Sequence, residues 1–535
     1  MRPERGRRRR RDPDRRGLGP GERAGAATGR ARPARRARDR FPGTRTPRRE
    51  RHPQRGGARP RASDRRSAPT LGGPRRESLA PAQPAPVRAA RPRGWRRAVS
   101  RRSRRRGRRR AATRRKPAPD SAPRPAPAPL DLAVTPGEVI AETDLPRCAI
   151  VILNLDGRHH LEPCFSGLRA LDYPEDRFEV ILIDNASTDG SVEAIKSEHA
   201  WVRLIENDTN VGFSSGCNQG AALAPDAEVL VFLNNDMRVE PAWLRELVSP
   251  IARGECSTTT ARMYSWDGKL MNSAGGGMNF HGIGIQRGYL EEPDPTYAMA
   301  RKTLFACGGA MAVDAAVFEE VGGFDDEYFA YYEDVDLGWR TWLAGKEVWY
   351  VPSAECYHHH SSTSGKLPGE MIRVLQVRNP MLTCFKNYSD ENLRKILPAM
   401  LGLAMRRMFL VSGLQDDTPF RIEHAGRGRR GPVRRAWDKA RTGVNQAVLV
   451  RKVSAADMIG VNDLIGRWDH WMERRRSVQD LRRRSDQELF GLFLRPQWCV
   501  EDEPAYGELQ AGLTEFLGID ELFRGLDEAG PEPNK

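Results

Sequence analysis

The chain has 535 residues, a length that accommodates two to four domains, and its formal net charge is +18. Residues 1–130 contain 44 Lys and Arg against 9 Asp and Glu, a net of +35, whereas the rest of the chain carries a net of −17. The basic character therefore belongs to the N-terminal segment alone. The eight cysteines form no CxxC pair and no apolar N-terminal run is present, which favours a reducing compartment and argues against an ordinary secretion signal.

Residues 1–143 are predicted to form a disordered Arg/Pro-rich tail, because so few apolar residues cannot offset the entropy of ordering the chain. One interpretation is an electrostatic tether to nucleic acid or to an anionic membrane surface. The other is a dispensable extension, for example from a start codon assigned too far upstream. We favour the extension, and disfavour nucleic acid as a partner, because only Phe41 and Trp95 accompany the arginines of residues 1–130 as stacking aromatics.

Residues 144–385 are predicted to form an α/β domain, because apolar strand-like runs alternate with helical patterns. This alternation predicts a mainly parallel central sheet. The segment at 275–288 is rich in glycine and is predicted to form hairpins or a mobile loop. The predicted strands are 148–153, 179–183, 202–206, 229–233, 303–313 and 347–351, and the predicted helices are 161–173, 189–200, 214–224, 314–324 and 333–345.

Residues 386–535 are predicted to form a helical C-terminal region, in which 472–493 is the clearest amphipathic helix. The longest apolar stretch, 396–414, contains Arg406 and Arg407, which argues against a membrane-spanning helix. Buried and interfacial helices are the two alternatives for this stretch, and we favour the buried one.

The first four predicted strands each end in a short polar segment: NLDG (154–157), DNASTDGS (184–191), NDTNVGF (207–213) and NNDM (234–237). Ligands bind at the carboxyl ends of strands in parallel α/β sheets, so these four segments predict a polar crevice. No GxGxxG motif follows the first strand, which argues against a dinucleotide-dependent enzyme.

Several motifs occur in an order that resembles the family 2 glycosyltransferases of GT-A fold, especially the rhamnosyl- and galactofuranosyltransferase-like branch of bacterial envelope synthesis. The resemblance spans Ala149 to about Asn379, outside the tail and the region after about 390. It implies an inverting, metal-dependent enzyme that moves a sugar from a dTDP- or UDP-sugar to a hydroxyl of a glycan or glycolipid acceptor in cell-envelope polysaccharide synthesis. The motifs are DNASTDGS, NVGFSSGCNQG, FLNNDM, GGFDDEYFAYYEDVDLGWR and VPSAECYHHHSSTSG.

The resemblance also implies a metal site for Mg²⁺ or Mn²⁺. Asp236 matches the last acid of the family's DxD motif, and Asn234 and Asn235 replace its other positions as expected donor-binding residues. One carboxylate is compatible with Mg²⁺, which usually keeps several waters. His358 falls where the family often has a metal- or phosphate-contacting histidine, with His360 as the alternative. A polar loop without metal is the competing interpretation.

The donor nucleotide is expected to meet two of the polar strand ends. By resemblance, Asp184 and Asn185 lie where the family's acid contacts the nucleobase, and Asp189 either shapes this turn or caps the next helix. Asn210 and Gly212 resemble the turn that closes over the donor, with an ordinary turn as the alternative.

Glu333, Asp334 and Asp336 place three acids within four residues at the start of a predicted helix. Interaction with the helix dipole is the simple explanation, but three neighbouring acids repel one another. The resemblance assigns the general base to Asp334 and makes Glu333 its neighbour or an acceptor contact. Asp336 and Trp339 are expected at the acceptor. A single base without a covalent nucleophile implies inversion by one displacement.

The expected partners are therefore a nucleotide-diphosphate sugar and a glycan or lipid-linked acceptor, for a cytoplasmic protein acting at the inner face of the membrane. Peripheral membrane contact and oligomerisation stay open. A nucleotidyltransferase is disfavoured because the first strand end has no Lys-containing phosphate loop. The competing hypothesis is a catalytically weak nucleotide-sugar-binding protein tethered by its basic tail, against which the intact Asp236 and Asp334 argue.

Overall fold

The structure is a computed structural model that describes residues 130–135, 137, 140–359, 368–412 and 452–526. The basic tail up to residue 129 and His360 lie outside the described residues, so the predictions made for them stay predictions.

A ten-stranded mixed sheet forms the centre of the α/β part. In chain order the strands are β1 (Cys148–Asn154), β2 (Phe178–Asp184), β3 (Arg203–Glu206), β4 (Val229–Asn234), β5 (Met237–Val239), β6 (Thr258–Ser265), β7 (Met271–Ser273), β8 (Gly276–Met278), β9 (Gly284–Gln286), β10 (Arg301–Lys302), β11 (Ala310–Asp314) and β12 (Val348–His358). The sheet order is β10-β12-β6-β11-β4-β1-β2-β3, with β5 beside β12 and β7 beside β6. The hairpin β8–β9 forms a separate two-stranded sheet, as predicted for this glycine-rich segment.

The helices pack on both faces of this sheet and continue into the C-terminal region. They are α1 (Arg158–Arg169), α2 (Ser191–Glu198), α3 (Gly212–Ala222), α4 (Trp243–Ala252), α5 (Ala315–Glu320), α6 (Glu333–Leu343), α7 (Gly369–Asn387), α8 (Asp390–Ser412), α9 (Lys452–Gly466), α10 (Trp468–Asp480), α11 (Asp486–Leu489) and α12 (Pro504–Phe516). The predicted α/β fold with a helical C-terminal region is confirmed. Gly345 ends α6 as predicted, with a φ of 83° that suits glycine.

The parallel half of the sheet fixes the position of the polar crevice. Strands β1, β2, β3 and β4 pair in parallel, and Asn154 lies opposite Asp184 in the register of β1 and β2. Leu153 lies opposite Asn234 in the neighbouring pair, so three strand ends meet at one edge. Successive side chains of β1 alternate between two buried cores, Ile150 on one face and Val151 on the other, as a sheet covered by helices on both faces requires.

Several predicted elements were wrong in extent: the helix predicted for 314–324 ends at Glu320, and the strand predicted for 347–351 continues to His358. The strand predicted for 303–313 is formed only by β11, which runs antiparallel between β4 and β6. The helix predicted for 472–493 ends at Asp480, and α11 begins a new helix after Ser485. The Ser485 hydroxyl accepts the Glu488 N–H while the Glu488 carboxylate accepts the Ser485 N–H, and this capping box starts a helix inside an otherwise amphipathic pattern.

The apolar stretch at 396–414 lies largely in α8, which is buried on one side. Leu403 and Ala404 are buried, whereas Met405 is exposed. The two arginines that interrupt the stretch form ion pairs, Arg406 with Glu503 and Arg407 with Asp457. Across the described ranges, none of the helices combines the length and the apolar content needed to cross a membrane.

Candidate active site

A cavity of about 360 Å³ opens at the edge where the parallel strands end. Strand-end amides line it, together with the residues just before and at the start of α6. The structure therefore brings together polar groups that are up to about 180 residues apart in the chain. Seven predicted site residues line the cavity: Asn185, Asn210, Gly212, Asn234, Asn235, Glu333 and Asp334.

The strand-end amides form a buried hydrogen-bond network beneath the cavity. Asn235 Nδ2 donates to Asn154 Oδ1 at 2.7 Å, and Asn154 Nδ2 donates in turn to Asp184 Oδ1 at 2.9 Å. The other oxygen of Asp184 accepts the Ser187 N–H at 2.8 Å. Asp184 is 1% exposed and does not line the cavity. Its carboxylate shapes the turn after β2, and its predicted contact with a nucleobase stays a prediction.

The turn predicted to close over the donor is held by its own side chains. Asn210 Oδ1 accepts the Gly212 N–H at 2.9 Å, and Asn185 Nδ2 donates to the Gly212 carbonyl at 3.3 Å. Gly212 has a φ of 85°, and an added Cβ would lie 2.5 Å from the Phe329 carbonyl oxygen. Only glycine fits this approach. Asp189 accepts the N–H groups of Ser191 at the start of α2 and of Arg158 at the start of α1, while Gly190 occupies the N-cap position of α2. These contacts fit both alternatives, turn shaping and capping, so its role stays a prediction.

Asp236 and His358 meet because β5 pairs with β12. His358 lies opposite Met237 in this register, and its Nε2 is 3.3 Å from Asp236 Oδ1. The other ring nitrogen, Nδ1, lies 3.0 Å from Asn272 Oδ1, an acceptor that selects the tautomer with Nδ1–H and leaves the Nε2 lone pair towards Asp236. Both side chains are largely buried beside Asn235.

This donor set fits a hard divalent cation. Two ligand atoms that occupy adjacent octahedral positions, each about 2.1 Å from the ion, lie about 3 Å apart. The observed distance between Asp236 Oδ1 and His358 Nε2 is close to this value. No cluster of three or more His, Cys, Asp or Glu side chains that could hold a metal occurs within the described part of the chain. Mg²⁺ and Mn²⁺ accept such a sparse protein set, because substrate phosphates and waters supply the other ligands.

The acid pair lies at the first turn of α6. Gly308 N–H donates to Asp334 Oδ2 at 3.0 Å, and Val335 N–H donates to Asp334 Oδ1 at 2.8 Å. Burial raises the pKa of Asp334, against the opposing effect of these two N–H groups. Burial also raises the pKa of Glu333 well above its ordinary value, and the neighbouring Asp334 charge adds to the rise. A buried acid pair with raised pKa values is a candidate for proton transfer.

Glu333→Gln should stabilise the protein increasingly as the pH rises from 5 to 8. Because the pKa of Glu333 is raised in the folded state, folding favours its protonated form, and stability is lost as the pH rises through that pKa. Glutamine mimics the protonated form and avoids this loss, which amounts to about 1.4 kcal/mol for each tenfold difference in the proton affinity of Glu333 between the folded and unfolded states. Denaturant titrations at both pH values measure it. The control is Glu319→Gln on the exposed surface of α5, and an equal response of the two variants would contradict the burial argument.

Asp336 and Trp339 do not contact the cavity, so their predicted place at the acceptor was wrong. Asp336 is fully buried and bonds Arg340 Nε at 2.8 Å and Lys386 Nζ at 3.0 Å. Trp339 is also fully buried, with its ring edge-on to Tyr388 at 4.8 Å between centroids. On α6 these residues lie on the side that faces α7 and the core, because each helical residue advances about 100° around the axis.

Lys386→Met should lower the free energy of unfolding by about 1.5–3 kcal/mol, because Asp325 and Asp336 would lose the buried cation that they share while Arg474 and Arg340 stay beside them. Lys386 is 1% exposed and lies 2.5 Å from Asp325 as well as 3.0 Å from Asp336. Burial alone would raise the pKa of Asp325, but the Lys386 ammonium outweighs it and holds this pKa well below its usual range. Urea denaturation measures the loss. The control is Lys346→Met, because Lys346 forms a half-exposed ion pair with Glu320. Similar losses of unfolding free energy in the two variants would contradict the argument.

Sequence reasoning missed several residues of the site. Asn154, Gln286 and Cys307 line the cavity, and Asn272 orients His358. Asn154 is the last residue of β1, as Asp184 is the last residue of β2. The rule that ligands bind at the carboxyl ends of parallel strands could therefore have identified Asn154 as a site residue. The other three come from the hairpin, the loop before β11 and β7, where no local pattern marks a contact with the cavity.

The comparisons with known proteins agree with this geometry. The model of the family described as "Glycosyl transferase family 2" matches residues 149–322. The N-acetylglucosaminyl-diphospho-decaprenol L-rhamnosyltransferase of Mycobacterium tuberculosis is 29% identical over 219 residues, which cover 36% of this chain and 70% of that protein. The O-antigen biosynthesis protein RfbC of Myxococcus xanthus is 29% identical over 226 residues, 41% of this chain but only 18% of that protein.

Among solved structures, the mannosyltransferase PcManGT of Pyrobaculum calidifontis, in complex with GDP-Man and Mn²⁺, has 15% identity and a TM-score of 0.37. That likeness covers 66% of this chain and 89% of the other. The family match and the named relatives, together with the crevice at the strand ends, lead to one conclusion. The chain contains a family 2 glycosyltransferase domain, which is similar to the named rhamnosyltransferase.

Proposed function

We propose that this enzyme transfers a sugar, with inversion, from a dTDP- or UDP-sugar to a hydroxyl of a glycan or lipid-linked acceptor in envelope polysaccharide synthesis. The observation that carries the proposal is that the amide-rich strand ends and Asp334 line one cavity. The Mycobacterium relative is named for transfer of L-rhamnose to a lipid-linked N-acetylglucosamine, which supports an acceptor of that class. We place the reaction on the cytoplasmic side of the membrane, where such donors are made.

In this mechanism Asp334 acts as the general base. Its carboxylate takes the proton of the acceptor hydroxyl while that oxygen forms a bond to the anomeric carbon. The bond from the anomeric carbon to the donor phosphate oxygen breaks on the opposite side, and the nucleoside diphosphate leaves. The Gly308 and Val335 N–H groups hold the carboxylate in place, and Glu333 beside it tunes the pair through charge and burial.

The donor would lie along the strand ends. Asn185, Asn210 and Gly212 would contact it from the turn beside the cavity, and Asn234 and Asn235 at the end of β4 would meet its diphosphate. Asp236 and His358 would hold the divalent cation, which neutralises charge on the departing diphosphate.

We also propose that residues 144–385 form the catalytic domain, that 386–535 form a helical region and that 1–143 are a separate tail. Helix α7 crosses the boundary at 385, and its residues contact the segment before α6. The helical region would therefore support the site rather than act independently.

A panel of nucleotide sugars tests the proposed function. Thermal shift with Mg²⁺, Mn²⁺ or EDTA identifies the bound donor, and mass spectrometry detects its transfer to a diphosphate-linked lipid carrying N-acetylglucosamine. We expect a dTDP- or UDP-sugar to stabilise the protein only when a divalent cation is present. Stabilisation by GDP- or CMP-sugars alone, or equal binding in EDTA, would contradict the proposal.

A further inference from the structure

The segment just before the acid pair has an unusual backbone. Phe329, Tyr331 and Tyr332 have φ values of 61°, 68° and 69°, a region that side chains other than glycine rarely adopt. Such a conformation persists only where the surrounding structure constrains it. The segment lines the cavity, and Glu333 follows directly in the chain.

Asn379 on α7 supplies that constraint. It is fully buried, and its Nδ2 donates to three carbonyl oxygens of the segment, those of Tyr328 at 3.0 Å, Ala330 at 2.9 Å and Tyr331 at 2.8 Å. The two N–H groups of one side chain therefore hold three of four consecutive carbonyls. Buried carbonyls need such donors, and within the segment the backbone supplies one, from the Ala330 N–H to the Tyr328 carbonyl at 2.7 Å. The carbonyls of Ala330 and Tyr331 therefore depend most on Asn379.

The remaining carbonyl of the segment connects it to the donor turn. The Phe329 oxygen accepts the Phe213 N–H at 2.5 Å and the Ser214 N–H at 3.3 Å, at the start of α3. Gly212 lies so close to Phe329 that a side chain would not fit between them, so this contact requires glycine at position 212. The segment 328–331 thus bonds Asn379 on one side and the donor turn on the other, and leads directly into the acid pair.

We propose that Asn379 is a positioning residue for sugar transfer, which holds the backbone of 328–331 so that Asp334 faces the acceptor hydroxyl while the donor turn stays in place. The inference rests on the proposed function, because it assigns Asn379 to the same reaction. Asn379 does not line the cavity and acts only through the segment. A misplacement of about 1 Å at a reacting group can cost about 100-fold in rate, so the fixed backbone matters for the chemical step.

Asn392 provides a matched control. It is also fully buried, and its Nδ2 donates to Asp486 Oδ2 at 2.7 Å, which ties α8 to α11. In both asparagines the Oδ1 atom has no hydrogen-bond partner among the described residues. Leucine at either position removes one buried amide of the same size, but only the change at Asn379 releases the segment before the acid pair.

The test compares Asn379→Leu with Asn392→Leu. We expect kcat of Asn379→Leu to fall by about 100-fold while its nucleotide affinity changes by less than about threefold. Hydrogen–deuterium exchange should accelerate in peptides spanning 325–335 of this variant only. Asn392→Leu should keep kcat near the wild-type value even where its melting temperature falls by a similar amount. Equal kcat values in the two variants would overturn the proposal.

Two outcomes need a further measurement: an Asn379→Leu variant that does not fold, and a wild-type enzyme that transfers no sugar. If Asn379→Leu does not fold, Asn379→Gln replaces it, because glutamine keeps both donors but carries them one methylene farther from the backbone. The same loss of kcat is expected, and wild-type kcat would overturn the proposal. If the wild-type enzyme transfers no sugar, the proposed function fails, whereas the exchange comparison still decides whether Asn379 holds the segment. Equal exchange in both leucine variants would then overturn it.

Discussion

Replacing Asp334 by Asn should lower the rate of sugar transfer by about 10²–10⁴-fold, the range expected when a general base is removed. The side chain keeps its shape, but its single oxygen can accept only one of the Gly308 and Val335 N–H groups. The amide cannot accept the proton of the acceptor hydroxyl. Nucleotide affinity should stay near wild type, because the strand-end amides of the donor side are untouched. Steady-state transfer rates and calorimetric nucleotide titrations measure the two quantities.

Asp226→Asn is the control for this prediction. Asp226 lies on the exposed loop before β4, away from the residues that line the cavity, and its variant should transfer sugar at the wild-type rate. A turnover of Asp334→Asn within a factor of about three of wild type would exclude Asp334 as the base. In that case Glu333, the other acid of the cavity, becomes the candidate.

Asp236→Ala should lower nucleotide affinity in the presence of Mn²⁺ by at least about 10–100-fold, the loss typical even for residues that only support a ligand. Asp236 supplies the carboxylate of the pair with His358, and no third acid of the described residues joins them. Affinity in EDTA should be the same for variant and wild type, because the lost interaction requires the cation. Calorimetric titration of the nucleoside diphosphate with and without Mn²⁺ measures both.

Asp208→Ala serves as the control for charge, since Asp208 is exposed on the turn after β3. Its affinity should depend on Mn²⁺ as that of the wild type does. If Asp236→Ala keeps the full Mn²⁺ dependence of nucleotide binding, Asp236 is not a metal ligand. Circular dichroism of each variant checks that the fold is intact before affinities are compared.

The parallel half of the fold could be predicted from the sequence because its pattern is local. Each apolar run from β1 to β4 is bounded by turn residues, and the observed strands agree with the predicted ones to within one residue at each end. The rule that ligands bind at carboxyl ends of strands then located the crevice, and Asn185 and Asn235 indeed line it. The pairing of β5 with β12 that joins Asp236 to His358 depends on residues about 120 apart, and only the family resemblance anticipated it.

The errors arise where side-chain direction or distant contacts decide the outcome. Asp334 and Asp336 are two residues apart, so they project about 200° from each other around α6. Asp334 therefore faces the cavity while Asp336 faces Lys386 in the core. An acidic cluster read without its helical phase cannot separate these two environments. The contact of Asn379 with the segment before Glu333 spans about 50 residues, and no periodicity marks it.

The configuration at the anomeric carbon tests the central claim most directly. Many transferases slowly hydrolyse their donor without an acceptor, and proton NMR identifies the anomer of the released sugar before it equilibrates. A single displacement assisted by Asp334 predicts that the first sugar released has the inverted configuration relative to the donor, and that Asp334→Asn does not release it. Release with retained configuration would require a covalent intermediate or a different reaction path, and it would contradict the mechanism.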